Sequence, residues 1–278
     1  MNAHLPRLAL IGFGEAGSTF ARAGAQAAGW GAVARAFDVE DSRRKAMAES
    51  GVKACDSAEE TLEGAQLVLS LVTAESALAV ARDHAAALTP GAIWCDMNSV
   101  APDTKRAAAQ AVEKAGGRYV DVAVMAPVDP AALDVPLLLS GKAAQDAQAQ
   151  LSALGFTNSR IVGDEIGRAS AIKMIRSVMV KGLEALSFEC AAAADAAGVF
   201  DEVMASLDAS EKHISWAEKV AYNRERMETH GARRAAEMEE AAKTLLDLGI
   251  EPVMTRGTVA LQRQAARKDD SSERNEAA

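Results

Sequence analysis

The chain has 278 residues, 49% of them hydrophobic, which is enough for two domains with real cores. Its net charge of -9 argues against a nucleic-acid groove and against binding to an anionic membrane surface. No apolar run approaches the ~18 residues of a membrane span, and the N-terminus does not resemble a signal peptide. The three cysteines are scattered without metal-ligand spacing, which predicts reduced thiols in a cytoplasmic protein without a metal site.

The N-terminus predicts a dinucleotide-binding unit. An apolar strand at 8–11 runs into a G-x-G-x-x-G loop, a helix follows, and a second strand ends at Asp38. Asp38 is placed to accept hydrogen bonds from the adenosine ribose. The loop residues expected to contact the cofactor are Gly12, Phe13, Gly14, Glu15, Ala16 and Gly17.

Two neighbouring features bear on the choice between NAD and NADP. The Asp38 carboxylate would repel a 2′-phosphate, which favours NAD. Arg43 and Arg44 follow closely and would suit such a phosphate, although they also fit a solvated helix start. The prediction is NAD, with NADP as the alternative.

Helical and strand patterns then alternate up to residue 162, which predicts a doubly wound, mainly parallel α/β domain over 1–162. The predicted strands lie at 67–72, 93–96, 119–124, 136–139 and 160–162. The predicted helices between them lie at 58–65, 76–88, 102–115 and 143–154.

From Gly163 onward the pattern is helical, so residues 163–267 are predicted to form an all-α substrate and dimerisation domain. Its helices are expected at 167–197, 200–206, 208–228, 230–248 and 255–266, followed by a disordered polar tail at 268–278. Lys173 lies beside the apolar stripe of the first of these helices, near the domain junction. A lysine desolvated there would be a suitable proton shuttle, whereas one that reaches solvent would be structural. Ser177 projects from the same face one turn later.

In their order along the chain, the glycine loop, the SLVT and DMNS loops, the VDVAVMAP stretch and Lys173 resemble the β-hydroxyacid dehydrogenase family, which includes 3-hydroxyisobutyrate and 6-phosphogluconate dehydrogenases. The resemblance implies a nicotinamide-side loop at Leu71, Val72 and Thr73. It also implies a cleft-lining loop with Asn98 beside the cofactor and Ser99 beside the substrate. Lys173 falls at the family's catalytic lysine, which implies a general acid/base role, and Ser177 would hold the reacting oxygen.

The sequence departs from the family pattern in the substrate loop and after the catalytic lysine. The Ser-Gly-Gly that cradles a small carboxylate is replaced by Met125-Ala126-Pro127, and the family's asparagine pair becomes Arg176-Ser177. Met125 and Ala126 are therefore predicted to face a bulkier or less charged substrate, with core packing as the alternative for Met125. Arg176 is predicted to clamp a carboxylate or phosphate, or else to form a surface ion pair.

The predicted function is hydride transfer between NAD(P) and a small hydroxy acid or related alcohol, with Lys173 as acid/base. One alternative is an imine reductase, although related imine reductases usually carry aspartate or tyrosine at the position of Lys173. The other is a non-catalytic NAD sensor. A homodimer is expected, because the helical domain is thin for a closed core of its own.

Overall fold

The computed structural model describes residues 5–276, with side chains through residue 266. The described chain has two compact units, which divide between Ser177 and Val178. This division lies beyond the predicted junction at Gly163, so Lys173 belongs to the first unit. None of the helices in the described range is both long and apolar enough to cross a membrane.

The first unit is built on a single eight-stranded sheet, which confirms the predicted α/β class. The strands are β1 (Leu8–Ile11), β2 (Ala34–Phe37), β3 (Lys53–Ala54), β4 (Leu67–Ser70), β5 (Ile93–Asp96), β6 (Arg118–Val124), β7 (Leu137–Ser140) and β8 (Ser159–Gly163). Their order in space is β3-β2-β1-β4-β5-β6-β7-β8, and only the β6/β7 pair is antiparallel. The order in which the chain adds strands reverses at β1: β2 and β3 lie on one side of it, and β4 and the later strands lie on the other. Open α/β sheets bind ligands at such a point, here between β1 and β4.

Helices cover both faces of this sheet. They are α1 (Glu15–Ala27), α2 (Arg43–Glu49), α3 (Ala58–Leu62), α4 (Ala77–His84), α5 (Pro102–Lys114) and α6 (Ala144–Ala153). The strands read as continuous apolar runs because both of their faces are buried. Leu8 and Leu10 pack into a core with Trp30, whereas Ala9 and Ile11 pack into the opposite core with Trp94. Helix α2 and strand β3 were not predicted, and both are short.

A row of polar side chains crosses the interior of the sheet. Ser70 is in register with Asp96, Asp96 with Asp121, and Asp121 with Ser140 on the antiparallel strand. All four residues are buried. Buried polar groups need partners, so this row must be tied into hydrogen bonds.

After β8 the described chain is helical, as predicted, in α7 (Arg168–Ala197), α8 (Phe200–Ser210), α9 (Trp216–Asp247) and α10 (Val253–Glu276). Helix α10 continues through most of 268–278, the segment for which a disordered tail was predicted, and residues 277–278 lie outside the described range.

The prediction of separate helices at 208–228 and 230–248 was wrong, because α9 is continuous. It starts at a capping box in which the Ser215 hydroxyl accepts from the Glu218 N–H and the Glu218 carboxylate accepts from the Ser215 N–H. Gly231 does not break the helix. A Cβ there would lie 2.4 Å from the Gln262 carbonyl oxygen, so this glycine permits the close approach of α10. Gly249, at φ +77°, terminates α9 as predicted.

Within the second unit, Glu189 of α7 caps the N-terminus of α10. Its carboxylate accepts from the backbone N–H groups of Met254 (2.7 Å) and Thr255 (2.9 Å) and from the Thr255 hydroxyl (2.6 Å). Burial alone would raise the pKa of Glu189, but these hydrogen bonds stabilise the carboxylate and lower it. The ionised side chain therefore links two helices that are far apart in the sequence.

Candidate active site

The glycine loop connects β1 to α1, and its three glycines serve different purposes. Gly12 has φ +94°, and a Cβ there would lie 2.5 Å from the Leu71 carbonyl oxygen. A Cβ on Gly17 would lie 2.6 Å from the Gly12 carbonyl oxygen. Gly14 differs from both, because its Cβ would meet no atom within 4 Å. Gly12 and Gly17 are therefore required by packing, whereas Gly14 faces open space at the N-terminus of α1.

That open space suits a dinucleotide pyrophosphate. Free backbone N–H groups and the helix dipole favour an anion at the start of a helix, and the missing side chain at Gly14 lets it approach. The side chain of Phe13 is buried in the core, and the predicted contact of this residue with the cofactor stays a prediction. Only its backbone N–H faces the loop, where it donates to Asp38 Oδ2 at 2.6 Å.

A pocket of about 310 Å³ lies on one side of the loop. It is lined by Gly12, Gly14, Asp38, Val39, Arg43, Leu71, Val72, Thr73 and Ser76, among others. The Asp38 carboxylate also accepts from the Glu40 N–H at 2.9 Å, so it is fixed at the end of β2. Asp38 therefore borders this pocket, and its contact with the adenosine ribose stays a prediction.

The two arginines near this pocket are paired with acids. Arg43 lies 3.2 Å from Glu40, and Arg44 lies 2.7 Å from Asp56 and 3.4 Å from Asp41. The hydrogen bond and charge of Asp56 raise the pKa of Arg44. These carboxylates compete with a 2′-phosphate for both guanidinium groups.

A second cavity of about 450 Å³ lies on the other side of the glycine loop. It is lined by Glu15, Ala16, Leu71, Val72, Ala74, Met97, Asn98, Ser99, Val124, Ala126, Pro127, Val128 and Lys173. The Lys173 ammonium donates a hydrogen bond to the Ser99 hydroxyl at 2.6 Å. The first unit thus brings together the predicted acid/base, the Asn98-Ser99 loop and the nicotinamide-side loop at one cavity.

Three other predicted residues do not line this cavity in the described chain. Met125 packs against the small apolar cluster of Ala123, Leu138 and Ala169, which is the alternative that the sequence left open. Arg176 is exposed and Ser177 is partly exposed, both on α7. A role in substrate contact for these residues stays a prediction.

A buried ionic cluster beneath the cavity was not identified from the sequence. Lys105 of α5 is fully buried, 2.9 Å from Asp96 Oδ1 and 3.5 Å from Asp121 Oδ1. The Tyr119 hydroxyl donates to Asp96 Oδ2 at 2.6 Å. Burial and the nearby Asp96 charge raise the pKa of Tyr119, and the same two causes raise that of Cys95 to about 12. The sequence does carry a signal, because Lys105, Ala108, Ala109 and Val112 form the buried stripe of α5.

The residues present fit a nicotinamide cofactor. Gly14 leaves room beside the helix N-terminus, Asp38 is fixed by hydrogen bonds at the predicted ribose position, and Asn98 lines the same cavity as Lys173. The Asn98 side-chain oxygen is buried and has no hydrogen-bond partner in the described part of the chain. A buried acceptor of this kind can take a donor from a bound molecule or from water.

Comparison with known proteins agrees with this geometry. Residues 7–155 match the NAD binding domain of 6-phosphogluconate dehydrogenase, and residues 194–265 match a domain of unknown function, DUF1932. A conserved hypothetical protein from Sinorhizobium meliloti 1021 is 37% identical, with a TM-score of 0.63, over 96% of this chain and 90% of its own.

Two further relatives extend the comparison. An uncharacterised 28.5 kDa protein of Methanothermus fervidus is 27% identical over 91% of this chain and 96% of its own length. An imine reductase from Pseudomonas sp. is 19% identical, with a TM-score of 0.74 over 95% of each chain, which shows a shared fold. From the domain match and the site geometry together, the chain belongs to the family defined by the NAD-binding domain of 6-phosphogluconate dehydrogenase and has a dehydrogenase-like fold.

Proposed function

We propose that the protein is an NAD-dependent oxidoreductase that interconverts a small hydroxy acid or related alcohol and its carbonyl form, with Lys173 as general acid/base. The observation that carries the proposal is the 2.6 Å contact between Lys173 Nζ and Ser99 Oγ, at the wall of the cavity that the glycine loop and the Leu71-Val72 loop also line. A proton donor and the cofactor loop thus share one cavity.

The cofactor, when bound, supplies hydride chemistry, and the chain supplies orientation and proton transfer. Lys173 would take the hydroxyl proton of the substrate during oxidation and return it during reduction. Ser99 would keep the ammonium at the cavity wall, and Asn98 would fix the loop that separates cofactor from substrate. Ser177 would be a second hydrogen-bond partner of the reacting oxygen, beside Lys173.

The preference for NAD follows from charge. The Asp38 carboxylate borders the pocket proposed for the adenosine ribose and would repel a 2′-phosphate there, and Arg43 and Arg44 are already paired with carboxylates. Repulsion between the Asp38 carboxylate and the 2′-phosphate would weaken the binding of NADP. The ribose hydroxyls of NAD can instead donate hydrogen bonds to Asp38.

The substrate side of the cavity supports a mainly apolar substrate. Val124, Ala126, Pro127 and Val128 provide apolar surface, and Lys173 is the one cation among the described residues that line the cavity. A substrate with several negative charges would lack partners here. This favours an acid with a single carboxylate or an uncharged alcohol over a phosphorylated sugar acid.

An imine substrate is the second candidate. The fold is shared with imine reductases, and an apolar wall also suits a cyclic imine. The lysine at the wall favours the carbonyl substrate, because an alkoxide-like oxygen gains more from an adjacent ammonium than an iminium nitrogen does.

The assembly proposed is a homodimer formed through the second unit. This unit exposes large apolar side chains on the single chain, including Val178 and Phe188 of α7, Leu207 of α8 and Trp216 of α9. Apolar surface of this kind is typical of a protein interface.

The function is tested by screening hydroxy acids, phosphorylated sugar acids, aryl alcohols and cyclic imines for changes in NAD(P)H absorbance. With a substrate found, single-turnover hydride transfer is compared in wild type, Lys173→Ala and Lys173→Arg. We expect Lys173→Ala to slow the transfer about 10²–10⁴-fold. Lys173→Arg should not restore it, since a guanidinium does not release its proton.

The matched control is Lys181→Ala, which removes an exposed lysine of the same helix. NAD affinity should stay unchanged in all three variants. A near-wild-type rate in Lys173→Arg would refute the acid/base role. NAD binding without turnover of any compound in the screen would instead support a sensor.

A further inference from the structure

Lys105 is a fully buried ammonium that the proposed chemistry does not use. It occupies a core position of α5 and donates to both the backbone carbonyl (2.6 Å) and the side chain (2.9 Å) of Asp96. Burying a lysine is costly unless it is paired, and a Met at this position would fill the same space without that cost. A charged residue at this position therefore suggests a role for the Lys105 ammonium beyond filling the core.

On one side, Lys105 fixes the loop that carries Ser99. Asp96, which binds the ammonium, accepts from the Asn98 backbone N–H at 2.9 Å and from the Asn98 amide at 2.8 Å. The same amide donates to Ser70 at 3.0 Å. The turn that begins at Asp96 is thus held directly before Ser99, and its geometry depends on the position of the Asp96 carboxylate.

On the other side, Lys105 faces the carboxylate that holds the start of α7. Asp121 Oδ1 lies 3.5 Å from the ammonium. Asp121 Oδ2 accepts from the N–H groups of Gly167 (3.1 Å), directly before that helix, and Ser170 (2.9 Å), in its first turn. Ser170 lies one turn before Lys173, so this carboxylate sets the depth and rotation at which α7 presents the lysine.

We infer that Lys105 is a positioning residue, whose buried charge joins the two carboxylates so that the Ser99 hydroxyl and the Lys173 ammonium meet at 2.6 Å. The inference rests on the proposed role of Lys173. Without the ammonium, the Asp96 and Asp121 side chains lose the group that joins them, and the Ser99 loop and the first turn of α7 lose their fixed separation. A misplacement of about 1 Å at a reacting group costs up to about 100-fold in rate.

The test is a double-mutant cycle between Lys105→Met and Lys173→Ala, with single-turnover hydride transfer as the readout. We expect Lys105→Met to slow transfer about 10–100-fold in the wild-type background and to have no further effect in the Lys173→Ala background. All variants are assayed at saturating NAD, because the turn that Asp96 holds also carries Asn98. The matched control Lys114→Met, an exposed lysine on the same helix, should have no effect. Equal slowing in both backgrounds, or none in either, would overturn the inference.

A second readout needs no substrate. Sulfosuccinimidyl acetate labels lysines, and mass spectrometry reports the labelling rate of Lys173 relative to the exposed Lys45. We expect Lys105→Met to change the relative rate of Lys173 several-fold while Lys45 stays constant. An unchanged ratio in a folded variant would show that Lys105 does not position Lys173. This readout also separates the two proposals, because it holds even if Lys173 proves not to be the acid/base.

Lys105→Met leaves two buried carboxylates without their counter-ion and can fail to fold. Lys105→Met/Asp121→Asn removes one carboxylate charge as well, while the asparagine oxygen can still accept from Gly167 and Ser170. If the single variant does not fold, the double variant takes its place in both experiments. Wild-type transfer rates and labelling ratios in the folded double variant would overturn the inference.

Discussion

Substituting alanine for each of two glycines of the same loop should separate folding from cofactor binding. At Gly14 a Cβ meets no atom within 4 Å and φ is -71°, so alanine fits the chain as it stands. The lower entropy of the unfolded chain and the poorer helix cap nearly cancel, each at roughly 0.5 kcal/mol. At Gly12, φ +94° alone costs alanine about 1–3 kcal/mol, and the Leu71 carbonyl oxygen is only 2.5 Å from the added carbon.

These energies translate into melting temperatures. At about 2–4 °C per kcal/mol, Gly12→Ala should melt roughly 2–12 °C below wild type, and Gly14→Ala within about 2 °C of it. NAD at 100 times its dissociation constant stabilises wild type by about 2.7 kcal/mol, or roughly 5–11 °C. If the Gly14 methyl group weakens binding 100-fold, the same NAD concentration gives only about 0.4 kcal/mol.

Thermal unfolding with and without NAD, together with calorimetric titration of NAD, measures both quantities. The control is Gly257→Ala, a glycine of α10 whose Cβ also meets no atom within 4 Å and whose substitution should leave NAD binding intact. Wild-type NAD affinity in Gly14→Ala would refute the placement of the pyrophosphate beside this residue. Wild-type melting of Gly12→Ala would refute the steric argument for the loop.

Asp38→Ala should narrow or reverse the preference for NADH over NADPH, measured by calorimetry; tighter NADPH binding by wild type would contradict this. Light scattering at micromolar concentration should give twice the chain mass, and a monomer mass would reject the dimer. Ser215→Ala should cost about 1 kcal/mol of unfolding free energy in denaturant titrations, and no loss would show that the cap is dispensable. The Cys95 pKa is raised to about 12, so the unfolded chain loses this thiol proton first and stability falls between pH 9 and 12. Unfolding free energies of Cys95→Ala should therefore fall less steeply over that range, and an identical slope would contradict the shift.

The features predicted most accurately were those that depend on residues close together in the sequence. The glycine loop, the strand before it and Asp38 lie within about thirty residues, and each is fixed by local backbone requirements. The α/β alternation was equally visible, because strands buried on both faces read as apolar runs. Helix α9 was divided in error between residues 228 and 230, although the Ser215–Glu218 capping box that starts it was present in the sequence.

The site was harder to predict because its contacts are distant in sequence. Ser99 and Lys173 are 74 residues apart, and only the family resemblance placed them together. Met125 occupies the position of a substrate-contacting residue in that resemblance, yet it packs against the cluster of Ala123, Leu138 and Ala169. The cluster of Lys105, Asp96 and Asp121 was missed because a lysine in an apolar stripe ordinarily reaches solvent, and its partners are known only once the strands are in register.

The cap that Glu189 places on α10 has a consequence for the order of folding during synthesis. Every strand of the sheet precedes α7, so the first unit can form while the helices of the second are still being made. The N–H donors that the Glu189 carboxylate binds on Met254 and Thr255 emerge 65 and 66 residues later. We therefore expect nascent chains that end between α9 and α10 to carry a folded sheet unit and an open helical unit. In such chains the helical unit would be the part most exposed to proteases and chaperones.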